Sequence, residues 1–194
     1  MNELFLYAGE RILRTVMDYK DSRKRSRHYD GIISIDDVMS GDVIKVDRGL
    51  YDHYGIFVRA LGRNGRGELH AIQYTGRNGH NDFNGIVRET PLDDFLDGAS
   101  EFMVCRYSGS TCTARLLVQN VHTSRDSTSL CTGTSYTADP AGRQTVERAR
   151  SRIGAEGYSL PVNNCEHFAV WCRTGMSDSS QVRDVLHALI MPER

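Results

Sequence analysis

Residues 163–175 read NNCEHFAVWCRTG. Asparagine opens the run, apolar residues at helical spacing follow, and Arg173, Thr174 and Gly175 close it, as expected of a helix with an asparagine N-cap and a glycine C-cap. Asn163 and Asn164 are both candidate caps; with Asn163, Glu166 falls at N3 and completes a variant capping box. Under either choice Cys165 lies in the first turn. Backbone N–H groups there lack helical partners, and the positive end of the helix dipole favours a thiolate. The same N–H groups suit an oxyanion formed when the sulfur attacks an acyl carbon. Cys172, Phe168 and Ala169 read as core; Cys172 lies two turns deeper, about 10 Å along the axis and too far for a disulfide. Position alone leaves two readings of Cys165 open, a small buried hydrophobe and a nucleophile.

Two further helices flank this one in the last third of the chain. TVERARSRIG, 145–154, places Val146, Ala149 and Ile153 on one face, and SSQVRDVLHALIM, 179–191, is amphipathic. The first half carries strand signals instead: GDVIKV (41–46), HYGIFVRA (53–60), ELHAIQYT (68–75), GIVRET (85–90) and EFMVCRY (101–107), separated by Gly/Asn/Asp turns. Short strands with such turns predict an antiparallel meander. Pro91 opens a short helical turn, PLDDFLDG. Strands grouped first and helices last give an α+β class, an antiparallel sheet packed against helices.

The expected organisation is a single domain over 1–194. It comprises an N-terminal helical extension at 1–35, a strand-rich half at 36–108 holding His53 and His70, a Ser/Thr-rich insertion or loop at 109–138, and a helical half at 139–194 holding Cys165. Within 109–138, ARLLVQNV suits one more strand or a short helix. Residues 3–20 have the spacing of an amphipathic helix, and the basic run KDSRKRSR follows at 20–27. That run reads as a solvated linker, or as a collar that brings residues 1–27 to anionic lipid at a membrane surface.

The formal net charge of −1 supplies no basic field for nucleic acid. No apolar run approaches the roughly 18 residues of a membrane span. The N-terminus lacks the basic and apolar regions of a signal peptide. Five cysteines, an odd number without a CxxC, point to a reducing compartment rather than a disulfide framework. A cytoplasmic protein, free or peripherally bound to membrane, is expected. Cys165 and His167 are too close in sequence for a usual zinc pair, so neither metal nor cofactor is expected.

A thiol nucleophile needs an imidazole base, itself oriented by a third polar group. Of the seven histidines, His167 points away from Cys165 on a helix and reads as structural at the cap. His53 and His70 lie on two strand segments that flank the turn GRNGRG. Their midpoint falls at the start of that turn, so they are expected slightly offset but near neighbours on one face. Base and orienter is one reading of the pair; two surface imidazoles is the other.

Taken in order, GDVIKV, YDHYGIFV, LHAIQYTG, RARSRIGAEGYSLPVNNCEHF and SSQV resemble the domain of the lecithin:retinol acyltransferase family, whose nucleophile motif is Asn-Cys-Glu-His-Phe. The resemblance covers roughly 36–108 and 139–185. It implies a permuted papain-like thiol hydrolase fold in which histidines precede the cysteine. It also implies Cys165 as nucleophile, His53 as general base and His70 as the residue orienting the imidazole. The implied chemistry is an acyl thioester on Cys165, formed from an acyl donor such as a phospholipid and passed to an alcohol, an amine or water. Two features depart from the family. The His53–His70 hairpin is longer, and the C-terminal membrane helix of many vertebrate members has no counterpart, which weakens the expectation of a lipid substrate. A thiol amidase or protease using the same triad, and a non-catalytic binding module, stay open as alternatives.

Overall fold

The computed structural model describes residues 29–49, 51–61, 67–76, 85–108, 111–121, 140–156 and 164–176. These form one seven-stranded sheet: β1 (Gly31–Ile33), β2 (Val43–Asp47), β3 (Asp52–Leu61), β4 (Gly67–Thr75), β5 (Ile86–Pro91), β6 (Phe102–Ser108) and β7 (Thr111–Val118). The order across the sheet is β1-β7-β6-β2-β3-β4-β5. Three helices accompany it: α1 (Leu92–Leu96), α2 (Pro140–Arg150) and α3 (Cys165–Thr174). The class is α+β, as expected.

Strands β2 to β5 form the expected meander, each antiparallel to the next. Strand β6 returns to pair with the other edge of β2, and β7 follows it. Within the stretch expected as an insertion or loop, ARLLVQNV takes the strand among its two expected forms and contributes to β7, whose apolar Leu116, Leu117 and Val118 lie beside β6. Strand β1 departs from the helical extension expected at 1–35: it pairs parallel to β7, and its three residues are too few for alternation to reveal.

Period-2 alternation sorts side chains onto two cores. Tyr54, Ile56 and Val58 of β3 pack with Val146 and Ala149 of α2 and with Cys165, Phe168, Ala169 and Cys172 of α3. Phe57 and its neighbours Ala71, Val46 and Val104 pack under Leu92, Phe95 and Leu96 of α1. The short α1 therefore covers one face, and α2 with α3 the other.

Helix α2 begins at Pro140, earlier than the expected 145, because proline suits a first helical turn. It ends at Arg150, and hydrogen-bonded turns carry the chain on to Gly154 (φ 84°). Ile153 then lies off the helical stripe and is 48% exposed, rather than inward. Gly41 (φ 93°) abuts the backbone of Gly142 in α2, so any side chain there would collide with that helix. The expected helices at 3–20 and 179–191, and the basic run at 20–27, lie outside the described residues. Among the described residues, no helix is long and apolar enough to cross a membrane.

Candidate active site

Helix α3 starts at Cys165, and Asn164 is its N-cap. The Asn164 Oδ1 accepts from the His167 N–H at 3.0 Å, and the Asn164 N–H donates to His167 Nδ1 at 3.5 Å. His167, not Glu166, therefore completes the capping box, and its ring is a structural part of the helix start. With the N3 amide occupied by the cap, the backbone N–H groups of Tyr54, Glu166 and Cys165 are those that favour an ionised sulfur.

The Cys165 sulfur reaches the edge of β3 beside His53. The β3–β4 ladder ends at Gly55↔Gln73, and β2 covers only the other edge. The Asp52 carbonyl, beyond that end, accepts from Cys165 Sγ at 3.6 Å. The sulfur thus contacts the peptide groups on both sides of His53, at Asp52 and at Tyr54. Lys45 holds the Asp52 carboxylate at 2.9 Å and so pins this stretch of backbone.

The His53 ring projects to the opposite face, under α1. It tilts against Phe95 with ring centroids 5.3 Å apart. Gly55 makes room for this, because a Cβ there would lie 2.9 Å from the Phe95 ring. Arg48 donates to the Phe95 and Leu96 carbonyls at 2.6 and 2.8 Å and fixes α1 over the imidazole. His53 Nε2 hydrogen-bonds Gln73 Oε1 at 2.6 Å, and Gln73 Nε2 donates to Thr90 Oγ1 at 2.8 Å. With its amide nitrogen committed to Thr90, Gln73 presents its oxygen to the ring. Nε2 is then the protonated nitrogen, and Nδ1 carries the lone pair.

His70 is elsewhere. It pairs with Val58, five positions beyond His53 on β3, and an odd offset puts the two histidines on opposite faces. His70 Nε2 meets Glu68 at 3.2 Å and Nδ1 lies 3.5 Å from Glu89, whose carboxylate forms a two-pronged pair with Arg150 at 3.0 Å. The expectation of near neighbours on one face is corrected: the β3–β4 pairing is centred two and a half residues further on than the histidine midpoint. Gln73, which the sequence reading missed, is the residue that the His53 ring meets. Its signal was its place directly across from Gly55, two residues along from His53 on one face, visible only once the register is known.

Burial sets the charge state. Cys165 is 1% exposed and His53 4% exposed. Desolvation raises the Cys165 thiol to about 11 against the three N–H groups that favour thiolate, and the nearby Glu166 carboxylate adds to the rise. The expected thiolate at the helix start is therefore overturned: removal from water outweighs the helix terminus. Desolvation likewise lowers His53 to about 4, against the Gln73 bond, while Arg48 adds to the fall. The resting pair is a neutral thiol and a neutral imidazole.

A pH dependence of folding follows. The His53 pKa is lower in the folded chain than in the unfolded one, so the unfolded chain binds the proton more readily. The stabilisation is complete above about pH 6.5 and is lost as pH falls towards 4, by roughly 3 kcal/mol. Denaturant unfolding at pH 7 and pH 4 should show this loss in the wild type and a smaller one in His53→Gln. Equal losses in the two proteins would remove His53 as its source.

Among the described residues, no group of three or more His, Cys, Asp or Glu is placed to hold a metal ion. The family model of lecithin retinol acyltransferase matches residues 36–178, well over half of the chain and continuous through the stretch that contains β7. No curated protein and no solved structure matches the chain.

Proposed function

The chain belongs to the lecithin retinol acyltransferase family, and we propose that it is a cysteine-dependent acyl-transfer enzyme built on Cys165, His53 and Gln73. The observation that carries this reading is the seat of the Cys165 sulfur against the peptide groups flanking His53, whose ring Gln73 locks in one tautomer.

Because both groups rest neutral, the proton moves as the bond forms. The sulfur rests on the Asp52 carbonyl and the imidazole lies under α1, so this reading requires the two to meet around the open end of β3, where Cys165 Sγ attacks the carbonyl carbon of an acyl ester as its proton passes to His53 Nδ1. The oxyanion is held by backbone N–H groups at the start of α3 and at Tyr54. Collapse expels the alcohol, which takes its proton from the imidazolium, and leaves an acyl thioester on Cys165. An acceptor (water, an alcohol or an amine) then attacks the thioester, giving its proton to His53 and restoring the thiol. The donor proposed is a phospholipid ester.

Incubation with phospholipids of several headgroups should yield, by intact mass, one acyl adduct that maps to Cys165 and is released by hydroxylamine. If no phospholipid or short-chain ester leaves an adduct, and peptide amides are cleaved instead, the reading passes to an amidase on the same residues.

A further inference from the structure

A second pair of reactive groups lies on the β6–β7 side of the sheet. Cys105 stands across from Arg115 and Cys112 across from Tyr107, so the two cysteines are diagonal neighbours on one face. A bulge separates them: Arg106 pairs with Ala114 and Tyr107 with Cys112, which leaves Thr113 opposite no residue. Such an irregularity lets a ladder shift more easily than a regular one. The two sulfurs are near enough for each to shift the other's titration, both are free, and Cys112 Sγ donates to the Ala114 carbonyl at 3.5 Å.

Their environments differ. Cys105 is buried in the core that also holds Tyr54 and Cys165, and the nearby Cys112 sulfur together with burial pushes its thiol well up. Cys112 is only partly buried. The nearby Cys105 thiol, and then Arg115, brings its thiol down to about 6, against burial. One partner is a partly buried thiol made more acidic beside a cation, and the other is a protonated thiol near it, the arrangement of an attacking and a resolving cysteine.

We infer that Cys105 and Cys112 form a peroxide-oxidisable dithiol, a reactive site separate from Cys165. The Cys112 sulfur attacks one oxygen of a hydroperoxide. An S–O bond forms, the O–O bond breaks, and the departing oxygen leaves as water or an alcohol after taking a proton. The Cys105 sulfur then attacks the sulfenic acid, the S–S bond replaces the S–O bond, and water leaves with the Cys105 proton. The two thiols lose two electrons, and the peroxide gains them. Closing the bond requires the ladder to give at the irregularity between Arg106 and Tyr107, because diagonal neighbours in a regular ladder stand at the limit of disulfide reach.

The test uses the full reduced chain at pH 7. Hydrogen peroxide should give a Cys105–Cys112 disulfide, found as a linked peptide pair after tryptic cleavage at Arg106, with Cys165 still a thiol on denaturation. Cys165→Ser should form the same link. Without peroxide, iodoacetamide should label Cys112 ahead of Cys165, and Arg115→Gln should slow that labelling about tenfold. The assignment fails if both thiols survive peroxide, or if Cys112 stops at sulfinic acid with Cys105 free. It also fails if Cys112 pairs with Cys131 or another cysteine, or if Cys165 labels first.

Discussion

Cys165→Ser and His53→Gln should each lower the rate of acyl-thioester formation or turnover by about three to four orders of magnitude, and the double variant should be little worse than either alone. The non-additivity follows from shared work. Without the imidazole, a thiol held up to about 11 has no proton acceptor at neutral pH. Without the sulfur, the imidazole has nothing to activate. Serine keeps a donor for the Asp52 carbonyl, and glutamine keeps a polar group beside Gln73, so both variants should fold. Stopped assays with the donor that gives the adduct, alongside unfolding curves, separate chemistry from stability. A His53→Gln protein retaining a tenth or more of the wild-type rate would place the base elsewhere.

The second large effect divides two residues that the sequence reading would have ranked the other way. Gln73→Leu should cost about 100-fold in kcat, because the ring loses the acceptor that fixes its tautomer and its Nε2–H is left buried without a partner. His70→Ala should change kcat by no more than about threefold, since His70 meets Glu68 and Glu89 rather than His53 or Gln73. Gln73→Glu supplies a readout that loss of packing would not move. A carboxylate facing the ring favours the imidazolium, so the acid limb of kcat/KM should shift upward from its position near pH 4. If His70→Ala is the crippling change and Gln73→Leu is mild, the proposed orienting role belongs to His70.

Much of the fold was legible because it rests on local patterns. The capped run from Asn163 to Gly175 specified a helix with Cys165 in its first turn, and the structure has that helix over Cys165–Thr174. The five alternating segments specified β2 to β6 within a residue or two. Strand β1 and the start of α2 were less legible, the first for want of length and the second because its polar first turn carries no apolar stripe.

The sequence by itself determined the α+β class, the meander, the helix that presents Cys165 and the likeness to an acyltransferase family, because caps, turns and periodicity act over a few residues. The tertiary structure alone decided which residue meets which. A single-residue change of register in the β3–β4 hairpin turns a side chain to the other face, and it is the register that gives His53 to Gln73 and His70 to Glu89. It also decided the charge state of the site. A helix start favours a thiolate locally, but the depth at which Cys165 and His53 are buried is set by residues far away in sequence, and that desolvation is the larger effect.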